Sequence, residues 1–319
     1  MNRTALACFL LSLSLVFSGC LGFGDDDDSV APPDNDDFVA PPGSVIFSAM
    51  GDVPYSNDQK AFLAKQITTH NAQSPSSFAV HVGDIKSGVD ASCNESTYET
   101  VASQLLQLSV PTFIIPGDNE WNDCPDPDEA WGYWETWYNE FEQNWFDAPT
   151  VERQDVRHEN FAFTRDGVLF VGINLVGGDV HDAAEWDTRM GQNNDWIEAQ
   201  FVAHGDSVHA AVIFGHALPS SDNEPFFDRF VPSVENFGLP TLYLHGDGHT
   251  WIHDYPFAAA NLLRVQVDSG GNLVEVTVLP VGSAEPFHFE REDEEDVPAL
   301  SVIATMAAVA VMALRRRPE

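Results

Sequence analysis

Short apolar runs rich in β-branched and aromatic residues recur through the middle of the chain and alternate with longer, more polar stretches. Six of them have the length of a β-strand and lie at residues 45–49, 78–82, 111–115, 168–173, 210–214 and 240–244. Runs of this length and composition favour strands, and the mixed stretch at residues 58–67 favours a helix. Strands that alternate with helices predict an α/β core built in layers.

Two later apolar runs, at residues 262–267 and 273–279, flank the tetrapeptide Asp268-Ser269-Gly270-Gly271. A short, glycine-rich turn segment between two apolar runs is typical of a β-hairpin. We therefore expect these two runs to pair with each other.

The amino-terminal segment has the features of an export signal. Arg3 precedes an apolar run at residues 5–17, and the small residues Ser18-Gly19-Cys20 follow it. This pattern predicts a signal peptide over residues 1–20, of the lipoprotein type if Cys20 becomes the lipidated terminus. An ordinary signal peptide with an incidental cysteine is the alternative. Residues 21–43 are rich in aspartate and proline, which predicts a solvated tether.

The carboxy-terminal segment has the features of a membrane anchor or a sorting tail. Residues 288–297 form an acidic linker, and residues 298–319 contain an uncharged apolar helix that ends at three consecutive arginines. About 17 apolar residues is the lower limit for a membrane span, and the arginines favour the cytoplasmic side. A buried helix is the alternative. Together the two ends predict an extracytoplasmic protein, anchored to the cell membrane or cell surface, whose folded domain covers residues 44–287.

The net charge narrows the choice of partners. The 319 residues include 14 lysines and arginines against 50 aspartates and glutamates, which gives a formal charge of −36. A surface this acidic repels nucleic acid and anionic lipid at long range, so no nucleic-acid-binding surface is expected. An anionic substrate still binds wherever divalent cations reverse the local field.

Two cysteines, Cys93 and Cys124, lie in the part of the chain that is predicted to fold. In an oxidising compartment, a disulfide between them is the simplest interpretation. Zinc binding is disfavoured because neither cysteine belongs to a C-x-x-C pair. Two unpaired core cysteines remain the alternative, because sequence spacing does not show that the two Cβ atoms meet.

Small clusters of glycine with aspartate or histidine follow five of the predicted strands. They are Gly51-Asp52, Gly83-Asp84, Gly117-Asp118, Gly215-His216 and Gly246-Asp247-Gly248-His249. Glycine permits a sharp turn, and the next side chain is then held at the carboxyl end of a strand, where open α/β sheets bind ligands. Five such ends would crowd carboxylates and imidazoles together unless cations lie between them. A single cluster is equally typical of a turn or a helix cap, but the ordered set predicts a metal centre.

The order and content of these clusters resemble the motifs of the calcineurin-like metallophosphoesterase family, over about residues 45–249 and more weakly to residue 280. The family pattern is Asp-x-His, Gly-Asp, Gly-Asn-His-Glu, Gly-His and Gly-His-x-His. The motifs GDVPY at residues 51–55 and GDNEW at residues 117–121 are similar to a variant subgroup. The resemblance implies a layered α/β/β/α sandwich with two mixed sheets. It also implies two divalent metal ions (Mn, Fe, Zn or Mg) that activate water to hydrolyse phosphoric esters.

Four residues match the family's metal ligands directly or keep their place in the motif. By this resemblance, Asp52 and His249 bind the first metal and His216 binds the second. Asp84 bridges both metals.

Four other positions depart from the family pattern. Asp118 and Asp247 stand where the family has asparagine and histidine ligands of the second metal, and this more anionic site suits Mn, Fe or Mg better than Zn. Pro54 replaces a histidine ligand of the first metal, which loses one protein donor. Asn119 occupies the place of the catalytic histidine that protonates the leaving group. An amide does not donate that proton at neutral pH, and general acid catalysis is worth roughly 10²–10⁴ in rate.

These patterns predict an exported metal-dependent hydrolase that acts on a phosphorylated small molecule or another phosphoester. A non-catalytic, metal-binding envelope protein that retains the fold is the alternative, and Pro54 and Asn119 favour it. A surface adhesion protein without metal fits the two ends of the chain but leaves the five clusters unexplained. Tyr55 and Lys86 flank the ligand loops and are candidates for substrate contact by proximity alone.

Overall fold

The structure is a computed structural model that describes residues 38–89 and 92–291. The predicted signal peptide, most of the tether, the linker beyond residue 291 and the apolar segment at residues 298–319 lie outside the described residues and stay predictions. The chain divides between Val39 and Ala40, and the description below concerns the second unit. Within the two described ranges, no helix is long and apolar enough to cross a membrane.

Among the described residues, the first sheet has five strands in the order β12-β11-β1-β2-β3. In that order the strands span Phe287–Glu290, Val274–Val278, Val45–Met50, Ala79–His81 and Thr112–Ile114. Strands β1, β2 and β3 are parallel, whereas β11 is antiparallel to both β1 and β12. Because parallel strands end on the same side, the carboxyl ends of β1, β2 and β3 share one edge of the sheet.

The second sheet has seven strands in the described part of the chain, in the order β4-β5-β6-β7-β8-β10-β9. In that order they span Glu152–Gln154, Arg157–Arg165, Val168–Gly172, Ala210–Phe214, Thr241–His245, Leu262–Gln266 and Ile252–Asp254. Strands β6, β7, β8 and β10 are parallel, and β5 and β9 run antiparallel to their neighbours β6 and β10. Both sheets are therefore mixed.

Three of the five α-helices of the described residues begin at a polar side chain that caps a free backbone N–H group. The five helices span Asn57–Gln73 (α1), Glu95–Leu105 (α2), Pro127–Tyr138 (α3), Ala183–His204 (α4) and Glu224–Phe237 (α5), with a short 3-10 helix at Phe141–Asn144. The capped helices are α1, α3 and α4. Asp126 accepts a hydrogen bond from Glu129 N at 3.1 Å, and Ser56 accepts one from Gln59 N at 3.2 Å. Such side-chain acceptors fix where a helix starts.

Alternate residues of each strand face opposite sides, and this alternation builds four layers. Phe47 in β1 and Val212 in β7 pack in the core between the two sheets. Met50 in β1 faces a second core against α1–α3, and Ile213 in β7 faces a third core against α4 and α5. The predicted α/β/β/α sandwich with two mixed sheets is confirmed.

The hairpin predicted over residues 262–279 is wrong. Strand β10 pairs with β8 in the second sheet, and β11 pairs with β1 in the first. The segment between them carries the chain from one sheet to the other, with φ values of 114° at Gly270 and 102° at Gly271 that suit glycine. The apolar pattern identifies both runs as strands but contains no information about which strand each will pair with. In addition, β12 continues to Glu290, beyond the predicted end of the domain at residue 287.

Cys93 and Cys124 form a disulfide, with their Cα atoms 5.9 Å apart. The bond joins the segment before α2 to the loop that follows Asp118. Both sulfur atoms lie near the carbonyl oxygen of Asn119, at 3.9 Å for Cys93 and 3.6 Å for Cys124. The predicted disulfide is confirmed, and it lies beside one of the predicted site loops.

Candidate metal centre

The loops after β1, β2, β3, β7 and β8 meet between the carboxyl ends of the two sheets. Within the first sheet, Asp52 N donates a hydrogen bond to Gly83 O at 3.0 Å, and within the second, Gly246 N donates to His216 O at 3.1 Å. His216 joins the two sheets, because its Nδ1 donates to Val82 O at 2.7 Å. The glycine-containing clusters therefore converge at one place, as the sequence predicts.

One group of possible ligands consists of Asp84, Asp118 and His216, whose donor atoms all lie within 4.8 Å of one another. His216 Nε2 lies 2.8 Å from Asp118 Oδ1 and 3.3 Å from Asp84 Oδ1. All three residues are buried, and the side chain of His216 has no exposed surface. We call this set the inner group.

A second group consists of Asp52, Asp84 and His249, again with donor atoms within 4.8 Å of one another. His249 Nε2 lies 3.4 Å from Asp52 Oδ1. Asp52 is fully buried, whereas half of the His249 side chain is exposed. We call this set the outer group. Asp84 belongs to both groups, which is the arrangement expected of a carboxylate that bridges two cations.

The inner group contains two buried polar atoms without a hydrogen-bond partner among the described residues, and their positions indicate whether a cation fits there. His216 Nε2 and Asp118 Oδ1 are buried, yet neither has a hydrogen bond of acceptable geometry among the described residues, although they lie 2.8 Å apart. Since His216 Nδ1 donates to a backbone carbonyl, Nε2 is directed at the carboxylates as in metal-binding histidines. Ligand atoms at right angles around a cation with bonds of about 2.1 Å lie about 3 Å apart. The donor set and its spacing therefore fit a divalent cation.

Uncommon backbone conformations concentrate in these loops. Of the six described non-glycine residues with positive φ, four are predicted ligands, namely Asp52 (55°), Asp84 (64°), Asp247 (71°) and His249 (60°). A positive φ brings Cβ close to the backbone and costs on the order of 1 kcal/mol for each residue. Residues in such conformations cluster at functional sites, where the surrounding packing holds the side chain in one direction.

Two glycines allow the ligand loops to approach one another closely. A Cβ atom at Gly117 would overlap the backbone N of Asp84, and one at Gly83 would lie 2.7 Å from His216 Nδ1. Neither neighbour is the end of a flexible side chain. The close approach that the sequence predicts is therefore required at these two positions.

Crowding of charged groups shifts the pKa values of the inner group. Burial raises the pKa of Asp84 well above its ordinary value of 3.8, and the nearby carboxylates of Asp118 and Glu120 raise it further. Burial alone would lower the pKa of His216, but the charges of Asp84 and Asp118 raise it well above 6.5. Burial also acts to raise the pKa of Asp118, but contact with His216 outweighs it and lowers the pKa. Without a cation, this site therefore retains protons that a cation would replace.

Asp247 lies at the same edge but belongs to neither group of three donors among the described residues. Its backbone N donates to both carboxylate oxygens of Asp52, at 3.0 and 3.1 Å. Its own Oδ2 accepts a hydrogen bond from Leu218 N at 3.4 Å, and a Cβ atom at Gly177 would lie 2.5 Å from that oxygen. In this structure its observed contacts orient Asp52, and its role as a second-metal ligand stays a prediction.

Asn119 lies against the shared carboxylate. Its Nδ2 donates to Asp84 Oδ2, and its backbone N donates to Asp84 Oδ1 at 3.1 Å. The buried Lys86 donates to the carbonyl oxygen of Asn119 at 2.9 Å, so its position behind the loop is that of a support. The Asn119 amide therefore lies next to the predicted metals, as its place in the motif implies.

The buried Glu120 joins two ligand loops, although the sequence reasoning assigns it no role. Its Oε1 accepts hydrogen bonds from Gly117 N at 2.7 Å and from Asp84 N at 3.2 Å, and its Oε2 accepts one from Ile85 N at 3.2 Å. The glutamate that ends the family's Gly-Asn-His-Glu pattern was the available signal. Tyr55, which the sequence offers only as a candidate for substrate contact by proximity, has its hydroxyl within hydrogen-bond distance of Asp84.

No protein-family model and no curated protein matches the sequence. Solved structures are similar to it. GAP50, the anchor in the inner membrane complex of Plasmodium, has a TM-score of 0.51 and 10% identity, over 82% of this chain and 94% of that one. A 5'-nucleotidase from Candida albicans has a TM-score of 0.49 and 12% identity, over 77% of this chain and 50% of that one. TT1561 of Thermus thermophilus has a TM-score of 0.46 and 11% identity, over 77% of this chain and 98% of that one.

At 10% identity, the similarity to GAP50 shows a common fold alone. The layer order and the two mixed sheets are those that the motif resemblance predicts. The chain therefore has the α/β/β/α fold of the calcineurin-like phosphoesterases.

Proposed function

We propose that this chain is an exported, metal-dependent phosphoric ester hydrolase with a dinuclear metal centre. In this proposal the inner and outer groups each hold one divalent cation, and Asp84 bridges them. The observation that carries the proposal is the membership of Asp84 in both three-donor groups. Asp247 remains a candidate sixth ligand by its place in the motif.

The residues around Asp84 suggest how the chain would use such a centre. When bound, the two cations would supply Lewis-acid polarisation of the phosphoryl group and activation of water. His216 is oriented by its bond to Val82 O, and Glu120 fixes the two loops that carry Asp84 and Asp118. Asn119 offers an amide N–H for hydrogen bonding but no proton for the leaving oxygen. We therefore expect a preference for phosphoric esters with good leaving groups.

The proposed location is extracytoplasmic. The Cys93–Cys124 disulfide supports it, because such bonds persist in oxidising compartments and are rare in the cytosol. Attachment to the membrane through a lipid on Cys20, through the carboxy-terminal helix, or through both, is part of the same proposal and rests on the sequence patterns of the two ends.

The test is metal content together with turnover, measured on the full chain. After chelation and reloading with Mn²⁺, we expect two metal ions per chain and hydrolysis of p-nitrophenyl phosphate or bis(p-nitrophenyl) phosphate. Asp84→Asn should lose both properties, because one substitution removes a ligand from each group. Asp166→Asn is the matched control, since Asp166 also has a positive φ but lies in the exposed turn between β5 and β6. Absence of bound metal in the unaltered chain would contradict the proposal.

A non-catalytic, metal-binding envelope protein is the second candidate. Asn119 favours it, because the position of the family's proton donor holds an amide. GAP50, the anchor in the inner membrane complex of Plasmodium, also favours it, because that protein of the same fold serves attachment. Two bound metals without turnover of any phosphoric ester would support this candidate over the hydrolase.

A further inference from the structure

The Tyr55 hydroxyl lies within hydrogen-bond distance of all three donor residues of the outer group. It is 2.7 Å from Asp84 Oδ2, 3.2 Å from Asp52 Oδ1 and 3.2 Å from His249 Nε2. These are the three residues that define the outer group. The phenolic oxygen therefore occupies a fourth corner among the donors of one proposed cation.

The loop holds this oxygen in place. Tyr55 N donates to Gln59 Oε1 at 2.5 Å in the first turn of α1, and the Tyr55 ring meets the His249 ring edge-on with centroids 5.4 Å apart. Asn119 Nδ2 lies 3.4 Å from the hydroxyl and donates to it. The position of the Tyr55 hydroxyl is thus fixed by a contact with the following helix α1 and by contacts with two neighbouring loops.

One of the contacts of the Tyr55 hydroxyl brings two oxygen atoms together without a proton of its own. A phenol has one proton to donate, and the 2.7 Å contact assigns it to Asp84. Asp52 Oδ1 also lies within 3.2 Å, and it is an acceptor when ionised. A cation among these oxygens and His249 would satisfy all of them together.

The loss of a ligand at Pro54 adds an independent reason. The family motif has a histidine at that position, and proline offers no donor atom in its side chain. Tyr55 is the next residue along the chain, and its oxygen reaches the group that Pro54 leaves short of one ligand.

We propose that the phenolic oxygen of Tyr55 is a ligand of the outer cation and replaces the side chain that Pro54 lacks. This inference rests on the proposed dinuclear centre. On binding, the phenol releases its proton to water and the phenolate oxygen coordinates the cation. An anionic oxygen donor makes the outer group better suited to iron or manganese than to zinc.

Visible absorption of the full chain loaded with Fe³⁺ tests ligation directly. A phenolate bound to Fe³⁺ gives a charge-transfer band in the visible region, and we expect this band in the unaltered protein and its loss in Tyr55→Phe. Tyr133→Phe is the matched control, because the Tyr133 hydroxyl donates to Glu129 on the exposed side of α3. The band of the unaltered protein is a readout that does not depend on the folding of any variant.

Metal affinity, measured by competition with a chelator, is the second readout. Tyr55→Phe should weaken one of the two cations by at least the roughly 10–100-fold that follows removal of a supporting partner at a metal site. Two bound cations without a visible band, or with unchanged affinity in Tyr55→Phe, would overturn the inference and leave the dinuclear centre standing. A chain that binds no metal would overturn both.

Discussion

The inner and outer groups share Asp84 but differ in their exposure to water. In the inner group, His216 is fully buried and its ring is fixed by Val82 O. In the outer group, half of the His249 side chain is exposed. Burial strengthens the interaction of a cation with its ligands, because less water competes for either. The two halves of one centre are therefore expected to bind their metals with unequal strength.

The difference in burial also implies different access to the two proposed cations. The inner group is enclosed by backbone and by Glu120, so its geometry is set before any metal arrives. The outer group faces solvent through His249, which gives water and substrate a route to the cations. We infer that the inner metal is retained more firmly and that the outer metal exchanges more readily.

Substitution of the two histidines should have the largest and most unequal effects. His216→Ala removes the buried imidazole, and we expect loss of the inner metal and a decrease of roughly 10³-fold in hydrolysis, since a catalytic cation supplies several kcal/mol. His249→Ala should weaken the outer metal by roughly 10–100-fold and retain the inner one. Metal analysis after dialysis against increasing chelator concentrations measures how firmly each variant retains its metals. Equal loss of both metals in the two variants would contradict the unequal binding.

A change at Gly117 should affect both groups at once. A Cβ atom there would overlap the backbone of the shared Asp84, so Gly117→Ala forces the ligand loops apart. We expect a decrease of about 1–3 kcal/mol in the free energy of unfolding, with weaker binding of both metals. Gly132→Ala is the control, because a Cβ at Gly132 in α3 meets nothing within 4 Å and should stabilise the helix by up to about 1 kcal/mol. Urea denaturation measures the free energy of unfolding of both variants. A Gly117→Ala protein as stable as the Gly132→Ala control would contradict the close packing of the ligand loops.

Much of this architecture could be predicted from the sequence, because strands and their glycine-containing ends leave a local signature. The runs at residues 45–49 and 210–214 coincide with β1 and β7, and the clusters that follow them converge as expected. Local patterns fail where partners are distant in sequence. The hairpin prediction failed because β10 and β11 pair in different sheets.

Prediction of the candidate site from the sequence has the same limit, because local patterns do not show which distant residues meet. Asp84 and His216 could be predicted because each directly follows a strand-ending glycine. Glu120 receives no role from the sequence, and Tyr55 is only a candidate for substrate contact by proximity. The contacts that both residues make involve loops that lie far away in the sequence. The unequal exposure of His216 and His249 also has no signature in the motifs, since both follow glycine.

The stability of the metal-free protein should decrease as the pH rises above about 7.5, and the inner group should dominate this effect. Burial raises the pKa of Asp84, and the charges of Asp84 and Asp118 raise that of His216 above 6.5 despite its burial. The folded state therefore keeps protons that the unfolded chain has released. The stabilisation from His216 is complete below pH 6.5 and is lost as the pH rises through its folded pKa. The lowered pKa of Asp118 acts only at acidic pH, below 3.8. Burial lowers the pKa values of His70, His81 and His245, and these groups oppose the trend only up to about pH 7.5, where the unfolded imidazoles have released their protons.

Urea denaturation between about pH 7.5 and 9, with and without Mn²⁺, measures the effect. Each unit of pKa difference is worth about 1.4 kcal/mol, so the free energy of unfolding should fall on that order in the metal-free protein. With Mn²⁺ the dependence should shrink or reverse, because the cation takes the place of the protons. His216→Ala should flatten the metal-free profile, whereas His249→Ala should change it little, because water screens a half-exposed imidazole. Equal flattening in both variants would show that exposure does not distinguish the two groups.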